Sequence, residues 1–131
     1  LIKAISSLEE AINFYYSRAK SASETELRII KSGVIQNFEF TYELCWKFIQ
    51  RWLKINIGKD YIEGVSRREF FRIAKENGLI DDVDKWMAYH QARNETSHSY
   101  DYNKANEIFE ISIKFLADAK SVLNELKARN E

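Results

Sequence analysis

An all-α fold follows from three features of the chain: scarce turn residues, apolar positions recurring at three- and four-residue steps, and capping patterns where segments begin. The 131 residues include no proline and four glycines, Gly33, Gly58, Gly64 and Gly78. Sheets need frequent turns that draw on both residue types, so their scarcity favours long helices. Helices joined by short connections and buried along one stripe each pack as an antiparallel, up-and-down bundle of four or five helices. One domain spanning residues 1–131 is expected, because a chain of this length supports one core and little else.

Five helical segments are expected. In the first, Ile5, Leu8, Ile12, Tyr15 or Tyr16, and Ala19 form one apolar stripe reaching about Ala22. The second opens at the capping box Ser23-Glu24-Thr25-Glu26 and runs through Leu27, Ile30, Val34, Phe38, Tyr42, Cys45, Ile49 and Leu53. Its aromatic residues lie on more than one face, which places it centrally in the bundle or in a subunit interface. Gly33 marks a kink or a close contact within it. Asn56 to Val65, with two of the four glycines, reads as the clearest loop. Ser66-Arg67-Arg68-Glu69 is a second capping box, opening a helix through Phe70, Ile73 and Ala74 that Asn77-Gly78 ends. Asp81, Asp82 or both begin the fourth helix, with Val83, Trp86, Met87 and Tyr89 or His90. The fifth starts between Asp101 and Asn103 and buries Ile108, Ile111, Phe115, Ala119, Val122 and Leu126.

Twenty basic and twenty acidic side chains cancel, which argues against a protein that coats nucleic acid or membrane by bulk attraction. A local basic cleft completed by a second subunit is compatible with that balance. The lone cysteine, Cys45, has no internal partner, which fits a reducing cytoplasm. No apolar run approaches the roughly 18 residues of a membrane span, and no signal-like segment opens the chain, so a cytoplasmic protein is expected.

The chemistry concentrates in Arg93-Asn94-Glu95-Thr96-Ser97-His98-Ser99-Tyr100-Asp101. Its small polar and β-branched residues compete with helical backbone bonding, so a helix should end inside it. A continuous helix would set Arg93 and His98 roughly 140° apart, out of reach of one site. A break after Arg93 or Asn94 lets them converge. Neutral imidazole takes a proton from a ribose 2′-hydroxyl, and guanidinium holds phosphate oxygens as charge builds on them. Asn94 and Ser97 would orient those groups, and no metal or cofactor is required. The plainer alternative is that Arg93 and His98 only complement the last carbonyls of a helix. Likewise His90 reads as an ordinary histidine of surface or core, and Arg67, Arg68, Arg72 and Lys75 as a solvated face flanking a phosphate path at most.

The segments Gly33-Val34-Ile35-Gln36-Asn37-Phe38-Glu39-Phe40-Thr41-Tyr42-Glu43-Leu44-Cys45-Trp46-Lys47, Ser66-Arg67-Arg68-Glu69 and Gly78-Leu79-Ile80-Asp81 followed by Trp86 resemble the nucleotidyltransferase substrate-binding proteins. The Arg93 to Asp101 segment completes the similarity, which runs from about Ser32 to Phe115. Arg67 departs from the pattern, where proline is expected at a helix start; that touches capping rather than the site. The resemblance implies a bundle of the HEPN superfamily, usually a homodimer, encoded beside a minimal nucleotidyltransferase and working as its partner. It also implies a toxin–antitoxin pair in which the HEPN protein is a metal-independent endoribonuclease. Its Arg-x4-His motif falls on Arg93 and His98, its polar second residue on Asn94, and the tyrosine that the nucleotidyltransferase adenylylates on Tyr100. The alternative within the same family is a non-catalytic subunit that binds substrate or a nucleotide for a split nucleotidyltransferase.

Overall fold

A computed structural model of the chain describes residues 1–129. Among them, six α-helices and one 3₁₀ turn follow in order: α1 (Ile2–Arg18), α2 (Glu24–Asn56), α3 (Lys59–Ile62), α4 (Arg67–Glu76), α5 (Val83–Asn94), the 3₁₀ turn (Thr96–His98) and α6 (Tyr102–Ala128). The antiparallel bundle is built on α1, α2 and α6, which pack on one another; α5 fills the side between α2 and α6, and α4 covers α5.

The helix starts are set by side-chain caps. Ser23, Ser66, Asp82 and Asp101 each accept a hydrogen bond from the backbone N–H three residues on, the orphan donor of a first turn. Gly78, at φ +75°, ends α4: its own N–H donates to Lys75 O and that of Leu79 to Ala74 O, the paired bonds of a Schellman motif.

Three expectations need adjusting. Arg18, not Ala22, ends α1, because Lys20 to Ser23 offers no large apolar side chain to continue the stripe, and Arg18 pairs with Glu26 across the corner at 2.8 Å. The stretch read as a loop contains one helical turn, α3, held by the burial of Ile62. Gly33 makes no close contact, since a Cβ there would meet nothing within 4 Å.

The core's centre is a knot of rings. Phe115 of α6 lies edge-on to Phe38 at 5.2 Å, Trp86 at 5.5 Å and Tyr89 at 4.9 Å between centroids, so α2, α5 and α6 meet on one side chain. Tyr42 completes the knot, 6.3 Å from Trp86. On α6, Phe109 and Ser112 are buried and Ile111 only half-buried, a small rotation from the expected stripe. Ser112 satisfies its hydroxyl on Ile108 O. On α2 the apolar surface does not close completely, for Phe40 remains 62% exposed. No described helix is long and apolar enough to cross a membrane.

Phe115→Ala should lower unfolding stability by about 3–5 kcal/mol, as lower urea midpoints at unchanged slope, while exposed Phe14→Ala should stay within about 0.5 kcal/mol. Equal losses at both positions would contradict this assignment of the core.

Candidate functional site

The end of α5 leaves its helix where the small polar residues cluster. Asn94 is the last helical residue, and the Glu95 N–H reaches back to both Gln91 O and Ala92 O. The next three residues, Thr96–His98, form the 3₁₀ turn, and Asp101 then caps α6. The break expected between Arg93 and His98 is therefore present.

Two glutamates on α2 hold this junction. Glu39 and Glu43 stand one turn apart, a spacing that puts both on the same face. Thr96 Oγ1 lies 2.5 Å from Glu39 Oε2 and 2.9 Å from Arg93 O. Arg93 Nε lies 3.0 Å from Glu43 Oε1, but its N–H is not aimed at that oxygen, so the contact is an ion pair without a hydrogen bond. A network of less obvious residues adjoins Arg93. His90 Nδ1 is 3.0 Å from the Tyr42 hydroxyl, Asn94 Nδ2 is 3.3 Å from His90 Nε2, and Arg67 Nη1 donates to Tyr42 Oη at 3.5 Å. With Asn94 as donor, the neutral ring carries its proton on Nδ1 and gives it to Tyr42 Oη. The Arg67 guanidinium also sits 4.2 Å from the centroid of the Trp46 ring, a cation–π contact.

Burial holds His90 below its ordinary value, and the Arg67 and Arg93 guanidiniums push the same way, against Glu43. Burial likewise raises Tyr42, so its phenol stays protonated and keeps its hydroxyl. Beneath them Cys45 is sealed in the core and pushed up to about 12, an inert thiol.

The predicted residues separate into two groups. Arg93 and Asn94 belong to the network facing α2, whereas His98 is exposed, with its ring 6.2 Å from that of Tyr100. Tyr100 is 85% exposed, and Ser97 is exposed beside His98. Among the described residues no hydrogen bond or ion pair joins Arg93 to His98. No group of three or more His, Cys, Asp or Glu side chains among them is placed to share a metal ion.

Sequence reasoning underrated His90, Tyr42, Glu39, Glu43 and Arg67. The four-residue steps from His90 to Asn94 and from Glu39 to Glu43 were visible signals; the convergence of α2, α4 and α5 was not. Arg67 is corrected most sharply: it occupies the helix start, but it also reaches the network through Tyr42 and Trp46, so the departure from proline affects more than capping.

Comparison with known proteins is consistent across sequence and fold. The family model described as nucleotidyltransferase substrate binding protein like matches residues 1–128. A curated relative named "Probable ribonuclease HepT", from Haemophilus influenzae, is 40% identical over 101 residues, covering 76% of this chain and 69% of its own length. A solved Haemophilus influenzae structure, described as the fold of a substrate binding domain of a nucleotidyltransferase, superposes with TM-score 0.89 at 34% identity over 95% of both chains. A Thermus thermophilus protein gives TM-score 0.65 at 28% identity, over 91% of this chain and 98% of the other.

His90 should titrate below its reference value of 6.5 in an NMR pH series, and Arg67→Gln should raise its pKa by removing one repelling charge. The unfolded chain binds this proton at higher pH than the folded one. His90 therefore contributes stability above the unfolded value, lost as pH falls through it toward the folded value. A melting temperature that rises as pH drops through that window in the wild type, but not in His90→Gln, would contradict the sign.

Proposed function

Since this chain belongs to the nucleotidyltransferase substrate binding protein like family, we propose that it partners a minimal nucleotidyltransferase and cuts RNA through Arg93 and His98. The observation that carries this reading is the break at Asn94, which presents His98 on an exposed turn while Arg93 stays anchored beside Glu43. The relative named as a ribonuclease supports the same chemistry.

In the proposed reaction, neutral His98 takes the proton of a ribose 2′-hydroxyl. The 2′-oxygen bonds to the adjacent phosphorus as the bond to the 5′-oxygen breaks, and the leaving oxygen takes up a proton. A 2′,3′-cyclic phosphate and a 5′-hydroxyl result. Arg93 stabilises the charge on the non-bridging oxygens, and its ion pair with Glu43 aims the guanidinium beforehand. Asn94 and Ser97 play supporting roles, and no metal takes part. A homodimer fits this scheme, because Arg93 and His98 of one chain keep separate contacts, with Glu43 and beside Tyr100, and a second copy supplies the mate. Exposed Phe40, beside Glu39 on α2, suits such an interface. We place the protein in the cytoplasm, as toxin of a toxin–antitoxin pair, with Tyr100 as the tyrosine that receives AMP. That modification would set a bulky anion two residues from His98, where it competes with RNA phosphate for the guanidinium. The family's description favours one second reading, a subunit that binds substrate or a nucleotide for the nucleotidyltransferase without catalysis.

Purified protein should cut single-stranded RNA in EDTA, and His98→Ala should reduce the rate about 10²–10⁴-fold with the helical circular dichroism retained. Wild type and variant equally inert across varied RNAs would leave the binding subunit as the surviving reading. After co-expression with the neighbouring nucleotidyltransferase, mass spectrometry should find one AMP on Tyr100, and its absence there would remove the regulatory role.

A further inference from the structure

Beside His98 the chain has a groove of about 560 Å³ between the first half of α2 and the start of α6, bounded by Ser99, Tyr100 and Tyr102. Its size falls within the roughly 300–1,000 Å³ of small-ligand sites, enough for a nucleotide. Its chemistry is not that of a neutral surface. Lys31 and Arg28 line it, and neither has a carboxylate partner among the described residues. Lys31 is also held in place: its ammonium donates to Asn106 Oδ1 at 2.9 Å and stands 5.2 Å from the Phe109 ring centroid. A half-buried cation fixed by an amide and an aromatic face, with no compensating acid in contact, is prepared for an anion from outside. Tyr100 and Tyr102, which also line the groove, are 85% and 73% exposed, more than packing requires. Glu24 is its one acidic lining residue.

We propose that this groove is an RNA subsite, in which a base stacks on Tyr102 or Tyr100 while the neighbouring phosphate is held by Lys31 and Arg28. This rests on the ribonuclease reading and extends it, for the strand would continue from the proposed cleavage point at His98 past Tyr100. Stacking is tolerant of base identity, and two cations track a backbone rather than read it, so the subsite favours unpaired strands without strong sequence preference. It also explains a protein without net charge that binds a polyanion: the attraction is local.

The test uses the wild-type chain and a fluorescein-labelled, 2′-O-methylated RNA hexamer, which has no 2′-hydroxyl nucleophile and stays intact. Fluorescence anisotropy should show binding that weakens about tenfold in Tyr102→Ala. In Lys31→Met, which keeps the apolar stem over Phe109, the slope of log affinity against log salt should fall by about 0.7. Lys75→Ala, on an exposed face of α4, should change neither. Failure of the wild type to bind the probe, or unchanged affinity and slope in both groove variants, would overturn the subsite; so would variants that lose only capture of the nucleotidyltransferase, which would make the groove a protein-docking surface. Bound probe with unmodified RNA left uncut would instead count against the nuclease reading while the groove stands.

Discussion

The contact between the middle of α2 and the end of α5 organises the polar end of this bundle. Tyr42 shows how: its ring packs in the aromatic knot with Trp86 and Phe115, while its hydroxyl meets His90 and Arg67. Glu43, the next residue, faces Arg93, and Glu39, a turn earlier, faces Thr96. The same stretch of helix thus anchors the core and positions the junction, so polar groups at the junction inherit the rigidity of the packing behind them. A shift of α2 against α5 would disturb both together.

That arrangement has an electrostatic consequence. Two guanidiniums, from Arg67 and Arg93, flank a half-buried imidazole with Glu43 as the opposing charge in reach. Burial first, and the two guanidiniums after it, disfavour His90 as a cation, and a neutral imidazole can accept as well as donate, which Asn94 uses. Beyond the break the surroundings change. His98 is exposed beside Tyr100, and the nearby groove is lined by cations free of acidic contacts. One short stretch of chain therefore joins a braced network to an open surface. The proposed chemistry needs both: a guanidinium held in advance and an imidazole that solvent and substrate can reach.

Sequence and fold together place this chain with relatives described as nucleotidyltransferase substrate binding proteins or named as a ribonuclease. A binding subunit and a nuclease require similar things of a surface: cations for phosphate, aromatic faces for bases and a rigid support. They differ in whether a proton acceptor reaches the 2′-hydroxyl. In the proposed site that difference lies in the placement of His98 relative to Arg93, across the end of α5 and, in the proposed dimer, across an interface.

Local chemistry determined much of this protein from the sequence alone. The caps at Ser23, Ser66, Asp82 and Asp101, the left-handed stop at Gly78 and the end of α5 among small polar residues are each settled within a few positions, because capping and backbone competition act over one helical turn. The buried stripes were legible for the same reason, since helical period maps spacing onto a face. What only the tertiary structure decided was which faces meet. Glu43 and Arg93 are 50 positions apart, and Tyr42 and His90 are 48, so no local periodicity links them. Arg67 reaches the network because α4 folds over α5 and brings its first turn against Trp46 and Tyr42. Long-range pairing depends on how the rings of Phe38, Trp86, Tyr89 and Phe115 interlock, and that is a property of the assembled core rather than of any segment.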